Sequence, residues 1–162
     1  MLSYSWTPAT GEDFTAIAHL AKTHFIPEVD QIFVPSDFAI SKNITYAIIN
    51  QTYSPLSELL SICKDTNGNI LAYTWVVANQ TVAWSLDRMT CIKMAHVDLT
   101  LPPRFRVKII SDMMILWEEY AKLVNDVIVC STTMRHDQTA FLKLHEKRGY
   151  SVRGSFAYKR LL

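Results

Sequence analysis

The tightest constraint in this sequence is the double proline at Pro102-Pro103. Proline has no N–H to give to a sheet ladder, so the long β-rich run Met89 to Leu101 must stop there. Behind it, Ile109, Ile110, Met113, Leu116, Trp117, Tyr120 and Val124 recur at three- and four-residue steps. This spacing predicts a helix over about 105–124. Met114 and Ile115 widen its apolar stripe, which suits either a helix covered on more than one side or an added interface. Val127 to Cys130 then reads as a compact buried strand. The three pieces make a strand–helix–strand crossover, expected to be right-handed.

The rest of the chain builds around that unit. Tyr4 to Trp6 reads as an opening strand. Thr10 with Asp13 signals a helix start, and Phe14, Ile17, Ala18, Ala21 and Phe25 predict a helix over 12–24, ended by Pro27. Ser36 caps a second helix near 37–50, with Phe38, Ile40, Ile44, Ala47 and Ile48 as its apolar side. After the apolar run Leu59 to Cys63 and the turn cluster 65–69, Ile70 to Val77 reads as a strand. Asn79-Gln80 marks a bend or bulge before Thr81 to Trp84, and Leu86-Asp87-Arg88 reads as a turn. Thr139 to Lys147 predicts a shorter helix stopped by Gly149, and Tyr150 to Leu161 one or two closing strands. The order is β-α-α-β-β-β-α-β-α-β, an α+β chain with a mixed α/β sheet. No repeat or linker divides it, so one domain over 1–162 is expected.

Charge narrows the partners. The formal net charge is +1, which gives no global pull toward nucleic acid or membrane. Five Lys/Arg face nine Asp/Glu in residues 1–100, against eleven and six in 101–162, so the second half could meet an anionic ligand. Cys63, Cys91 and Cys130 are far apart in sequence and read as buried free thiols of a reducing compartment. No basic region followed by an apolar stretch opens the chain, and no apolar run nears the ~20 residues of a spanning helix. A cytoplasmic protein without a membrane segment is expected, in the host cell if the source is viral.

Two stretches resemble the GNAT acetyltransferase superfamily. In the first, Val127 to Ser131 is followed by Asp137-Gln138-Thr139-Ala140 and Leu144-His145-Glu146-Lys147-Arg148-Gly149-Tyr150. The family commonly has an apolar strand, an Asn, an Ala three residues on, then Leu-Tyr-Glu-Lys-x-Gly-Phe. In the second, the family's Arg/Gln-x-x-Gly-x-Gly/Ala loop opens the long helix and lets backbone amides close on the acyl-CoA pyrophosphate. Here the ungapped match is Arg104-Phe105-Arg106-Val107-Lys108-Ile109, with Arg104 kept and Val107 and Ile109 in place of the small residues. The resemblance implies a GNAT fold in which strand Met89–Leu101 is central and splays from Val127–Ser131. It also implies acetyl-CoA as cofactor, with Arg104, Phe105, Arg106, Val107, Lys108, Ile109 and Asp137 at the binding loop. The β-branched side chains of Val107 and Ile109 would stand where phosphate oxygens approach.

The chemistry needs a base for the amine and an acid for the leaving thiolate. The resemblance places His145 where the family's acidic Tyr stands. His96 and Asp98 alternate on one strand and share a face, and the resemblance implies a base on this strand, Asp98 with His96 beside it or His96 itself. No close ligand spacing supports a metal site from His96, Asp98 and His136. Arg104, Arg106 and Lys108 could hold phosphates or dock a partner, and three charges with little aromatic interleaving argue against nucleic acid. Two functions follow. One is an N-acyltransferase acting on a small-molecule or protein amine with a degenerate cofactor loop. The other is an inactive GNAT-fold binding or structural protein, of the kind tailed phages could use in assembly or host interaction, with a protein partner or homo-oligomer.

Overall fold

The computed structural model describes residues 3–29, 32–135, 138–154 and 157–161. Five strands form one mixed sheet in chain order: β1 (Tyr4–Pro8), β2 (Glu58–Asp65), β3 (Ile70–Val82), β4 (Ser85–Val97) and β5 (Ile128–Cys130). The first four pair antiparallel, and β5 joins β4 in parallel. Four helices complete the described elements: α1 (Phe14–Val29), α2 (Asp37–Tyr53), α3 (Pro103–Leu123) and α4 (Thr139–Lys147). The α+β class and the element order follow the sequence up to α4.

Strand alternation divides the apolar residues between two cores. Leu60, Ile62 and Tyr73 pack with Ile17, Ala21, Ile44 and Ala47 of α1 and α2. On the other face Cys63, Ala72 and Val76 pack under Ile109, Met113, Met114 and Trp117 of α3, flanked by Phe141 and Leu144 of α4. Most of the wide stripe of α3 is core, with Met113, Met114 and Trp117 at most 1% exposed, whereas Ile115 is exposed. Trp117 Nε1 donates to Thr74 Oγ1 at 2.8 Å, which anchors α3 to the middle strand. The α1 entrance is tied as its sequence predicts. The Asp13 carboxylate accepts the Thr10 amide and hydroxyl at 2.9 and 3.1 Å, with Lys64 Nζ at 2.5 Å.

Several boundaries differ from the sequence reading. Helix α1 runs through Pro27 to Val29 and does not end before the proline. Phe38 is 77% exposed, outside the apolar side assigned to it. β3 is one strand, with the expected irregularity at Asn79, whose φ is 58°. Leu86-Asp87-Arg88 belongs to β4, since the reversal is made by Ala83-Trp84. β4 ends at Val97, and the sheet's middle strand is β3. Among the described residues of 150–161 there is no strand. A β5 of three residues offers a short ladder to join, and Gly154 at φ 83° departs from extended backbone.

The joint between β4 and β5 rests on Asp126, whose side chain has no exposed surface. It accepts Asn79 N and Thr90 Oγ1, each at 2.9 Å, with Arg88 Nε at 3.8 Å. The Arg88 guanidinium also donates to Asn79 Oδ1 and Asn125 O, and Val127 N donates to Arg88 O. The β3 irregularity, β4 and the turn after α3 thus meet at one carboxylate. Asp126→Ala leaves the Asn79 amide and the buried Thr90 hydroxyl without their acceptor, and urea denaturation should show a loss of about 3 kcal/mol. Arg88→Ala, with its side chain 46% exposed, should cost about 1 kcal/mol or less in the same assay.

Candidate functional site

β4 and β5 share only three residue pairs, Met89 with Ile128, Thr90 with Val129 and Cys91 with Cys130. From Ile92 to Val97 the outer edge of β4 has no strand partner among the described residues. The strands therefore part, as expected, and expose backbone to which an extended amide-bearing ligand can add as a strand. Opposite β3 the register skips Lys93, because Trp75 pairs with Met94 and Val76 with Ile92. The extra residue reverses the alternation. Ile92 faces the α3 core, whereas Met94 and His96 face α1.

The first turn of α3 lies beyond the end of β4. Pro102 and Pro103 have no N–H, and the amides of Phe105 and Arg106 already donate to Pro102 O at 2.9 and 3.0 Å. This helix start is poor in free amide donors, a depletion that the sequence displays in its two prolines as plainly as in its missing glycines. The six loop residues do not converge on one point. Ile109 is fully buried beneath α3, so it cannot obstruct a ligand there, contrary to expectation. Val107 is 51% exposed and stands at the surface. Phe105 packs edge-on against the Tyr4 ring at 5.4 Å. Lys108 turns to β1 as well, with Nζ 2.9 Å from Tyr4 Oη and 4.5 Å from the ring centre. Tyr4 also donates to Asp112 Oδ2 at 2.5 Å, and burial followed by this carboxylate pushes its phenol up. Arg104 is exposed and Arg106 half-buried. Two helix positions from Lys108, Arg106 points to the opposite side of α3, away from β1. Its Nε is buried with no partner among the described residues. Asp137 and His136 lie outside the described residues.

His145 is 4% exposed, among the rings of Phe141, Tyr150 and Trp117. It is neither a surface histidine nor a poised imidazolium. Burial pushes its pKa below the ordinary value, against a smaller opposing effect from the Phe141 carbonyl. That carbonyl can only accept, so Nδ1 carries the proton in the 2.9 Å contact and Nε2 presents a lone pair. A neutral imidazole in this tautomer has no proton on Nε2 to give, which weighs against the acid role expected of it.

His96 and Asp98 do face the same side, but their surroundings differ. His96 is buried, with Nδ1 2.6 Å from Tyr73 Oη and its ring stacked on His24 at 4.4 Å. His24 Nε2 donates to Val97 O at 2.8 Å. The helical reading of 12–24 could have flagged His24 as a polar residue at an inward position, three residues beyond Ala21. Asp98 follows β4, where Oδ1 accepts the Thr100 amide and hydroxyl, both at 2.8 Å. It lines an open cleft of about 670 Å³ between α1, the β2–β3 turn and the β4–α3 connection, together with Glu12, Asp13, His19 and Lys64. Burial pushes Asp13 up, but the hydrogen bonds from Lys64 and Thr10 outweigh it and hold this carboxylate below its usual range. Among the described residues no three His, Cys, Asp or Glu side chains converge as metal ligands, and no helix is long and apolar enough to cross a membrane.

No family model and no curated protein matches this sequence. Solved structures match its fold. An aminoglycoside N-acetyltransferase, AAC(6')-Iy, in complex with CoA is 10% identical, with TM-score 0.74 over 99% of this chain and 96% of its own. A predicted acetyltransferase with acetyl-CoA from Clostridium acetobutylicum is 15% identical, with TM-score 0.70 over 99% and 96%. Glucosamine-6-phosphate N-acetyltransferase from Arabidopsis thaliana is 13% identical, with TM-score 0.63 over 98% of each chain. The chain has the fold of the GNAT acetyltransferases.

Two outcomes test this description. In chemical denaturation Ile109→Gly should cost more than about 3 kcal/mol, as cavity formation adds to helix propensity, whereas Val107→Gly should cost about 1 kcal/mol. The second concerns pH. His145 has a depressed folded pKa, so unfolding takes up a proton below the unfolded value of about 6.5. Its contribution is therefore present above that pH and declines as pH falls toward the folded pKa. His145→Gln should flatten the stability profile over that interval in urea titrations run at stepped pH.

Proposed function

We propose that residues 1–162 form a single N-acyltransferase domain that takes acetyl-CoA in the gap between β4 and β5 and an amine in the cleft at Asp98. The observation that carries this reading is the outer edge of β4 from Ile92 to Ala95, which no strand covers among the described residues, on the strand that leads to α3. A pantetheine arm is an extended chain with two amides and can pair with such an edge. Its phosphates would then lie near α3, where Arg106 and Arg104 supply charge in place of the amides that the prolines remove. The acetyltransferases of the same fold that were crystallised with CoA or acetyl-CoA support the cofactor class.

Asp98 is the base in this reading, because it is the candidate that lines an open cleft. The amine nitrogen attacks the thioester carbonyl, the C–S bond breaks, and Asp98 takes the ammonium proton as the thiolate leaves. His96 is held by Tyr73 and packed against His24, so it acts as a positioning residue for the end of β4. His145 has no part in proton delivery. With Asp13 already paired to Lys64, Glu12 and Asp98 are the carboxylates of the lining left to meet a cationic acceptor, in keeping with the aminoglycoside named for one structural neighbour.

One observation favours the second reading, a non-catalytic GNAT-fold binding or structural protein with phage assembly or host interaction as a setting. In the first turn of α3, Pro103 has no amide to offer, and those of Phe105 and Arg106 are already bonded. Calorimetric titration separates the two. An acyltransferase should bind acetyl-CoA with Kd below about 1 mM. Arg104→Ala with Arg106→Ala should weaken that by about 2 kcal/mol, near thirtyfold. No heat at millimolar cofactor would select the non-catalytic protein, and tight binding indifferent to both arginines would move the site elsewhere.

A further inference from the structure

Far apart in sequence, Cys91 and Cys130 are neighbours in the fold. The parallel register sets them opposite each other as the last residue pair before β4 and β5 part. Adjacent strands run about 4.8 Å apart. That spacing falls within the Cα separation of about 4.4–6.8 Å that a disulfide spans. Ile92 and Val129 face the α3 core, so alternation turns both cysteines to the opposite face of the sheet. The two thiols there are close enough to hydrogen-bond. Both are free and half-buried. Cys63 is different. It is fully buried beneath α3, and burial pushes its thiol up to about 12. A thiol in that setting is inert.

We propose that Cys91 and Cys130 form a thiol–disulfide couple that locks the point where β4 and β5 diverge. The co-reactant is a low-molecular-weight disulfide. One protein thiolate attacks it and expels one small thiol, leaving a mixed disulfide. The second cysteine attacks the protein sulfur of that bond and expels the other small thiol. Two protein thiols and one external disulfide become one protein disulfide and two external thiols, so two electrons leave the protein. Burial first, and then Cys130, push the Cys91 thiol up, so an opening attack by Cys91 is slow at neutral pH. The closing attack is intramolecular and fast because the register already holds the pair together. The bond matters to the fold because only three residue pairs join these strands. The couple does not depend on the acyl-CoA reading.

The test incubates the full chain, without cofactor, in graded mixtures of reduced and oxidised glutathione. The chain is then quenched in acid and unfolded in urea, remaining thiols are alkylated, and digests are mapped by mass spectrometry. Alkylatable thiols should fall from three to one, with Cys63 the survivor and Cys91 linked to Cys130. Amide exchange at Ile128 to Cys130 should slow in the oxidised form. Cys91→Ser and Cys130→Ser should each abolish the link and leave only a glutathione adduct on the remaining partner. Separate adducts on both cysteines of the unaltered chain, with no link between them, would overturn the proposal. So would both thiols staying alkylatable in every mixture, or a link with unchanged exchange in β5. The mapping of the unaltered chain stands even if a serine variant fails to fold.

Discussion

The Asp126 carboxylate holds together the half of the sheet on which any function at β4 and β5 depends. It is buried, and its partners come from three separate segments: the Asn79 amide, the Thr90 hydroxyl and the Arg88 side chain. Both hydrogen bonds fall on Oδ2, while buried Oδ1 has only the Arg88 guanidinium nearby among the described residues, so one oxygen ties these segments together. Through it the irregularity of β3, the register of β4 and the first residue of β5 are fixed at once. β5 is three residues long and could not hold its own position by ladder bonds alone. The place where the strands separate is thus set by an ion and its donors at one end of the joint. At the other end it is marked by the cysteine pair.

The remaining geometry follows from that fixed joint and from α3. Trp117 and its bond to Thr74 seat the helix over the middle of the sheet. Once the helix is seated, its rotation decides the fate of each residue in the first two turns. Ile109 goes into the core, Lys108 goes to the Tyr4–Asp112 pair at the β1 edge, and Arg106 goes to the far side. Three basic residues that look like one cluster along the chain therefore serve different surroundings. Local charge density at the helix start is lower than the sequence implies, and the amide donors that could compensate are removed by Pro102 and Pro103. An anion there would be held mainly by guanidinium groups.

The bulge at Lys93 reverses which face the end of β4 presents. Without it, Ile92 and His96 would share a face. With it, Ile92 fills the α3 core while His96 packs on His24 and Asp98 reaches the cleft beside α1. The two candidate residues of β4 keep their mutual relation but are delivered to the side opposite α3. His145 shows the converse. Its motif position is that of a family acid, yet the rings of Phe141, Tyr150 and Trp117 enclose it and favour the neutral form.

The sequence by itself determined the element types as far as α4, the apolar faces of the helices, the antiparallel meander and the strand–helix–strand crossover. Such features are local: apolar periodicity, Asn and Gly at turns, Thr10 and Asp13 at a helix start, and two prolines that no strand can pass. It also determined that a strand pair would part next to a helix start lacking glycine. The tertiary structure alone decided which residues meet. The pairing of Cys91 with Cys130, the stacking of His24 on His96, the burial of His145 and Ile109, and the ring of donors around Asp126 join residues distant in sequence. Periodicity says which way a side chain points relative to its own element. It does not say what stands opposite, because that depends on strand register, a one-residue bulge and the rotation of α3, each fixed by packing across the whole sheet.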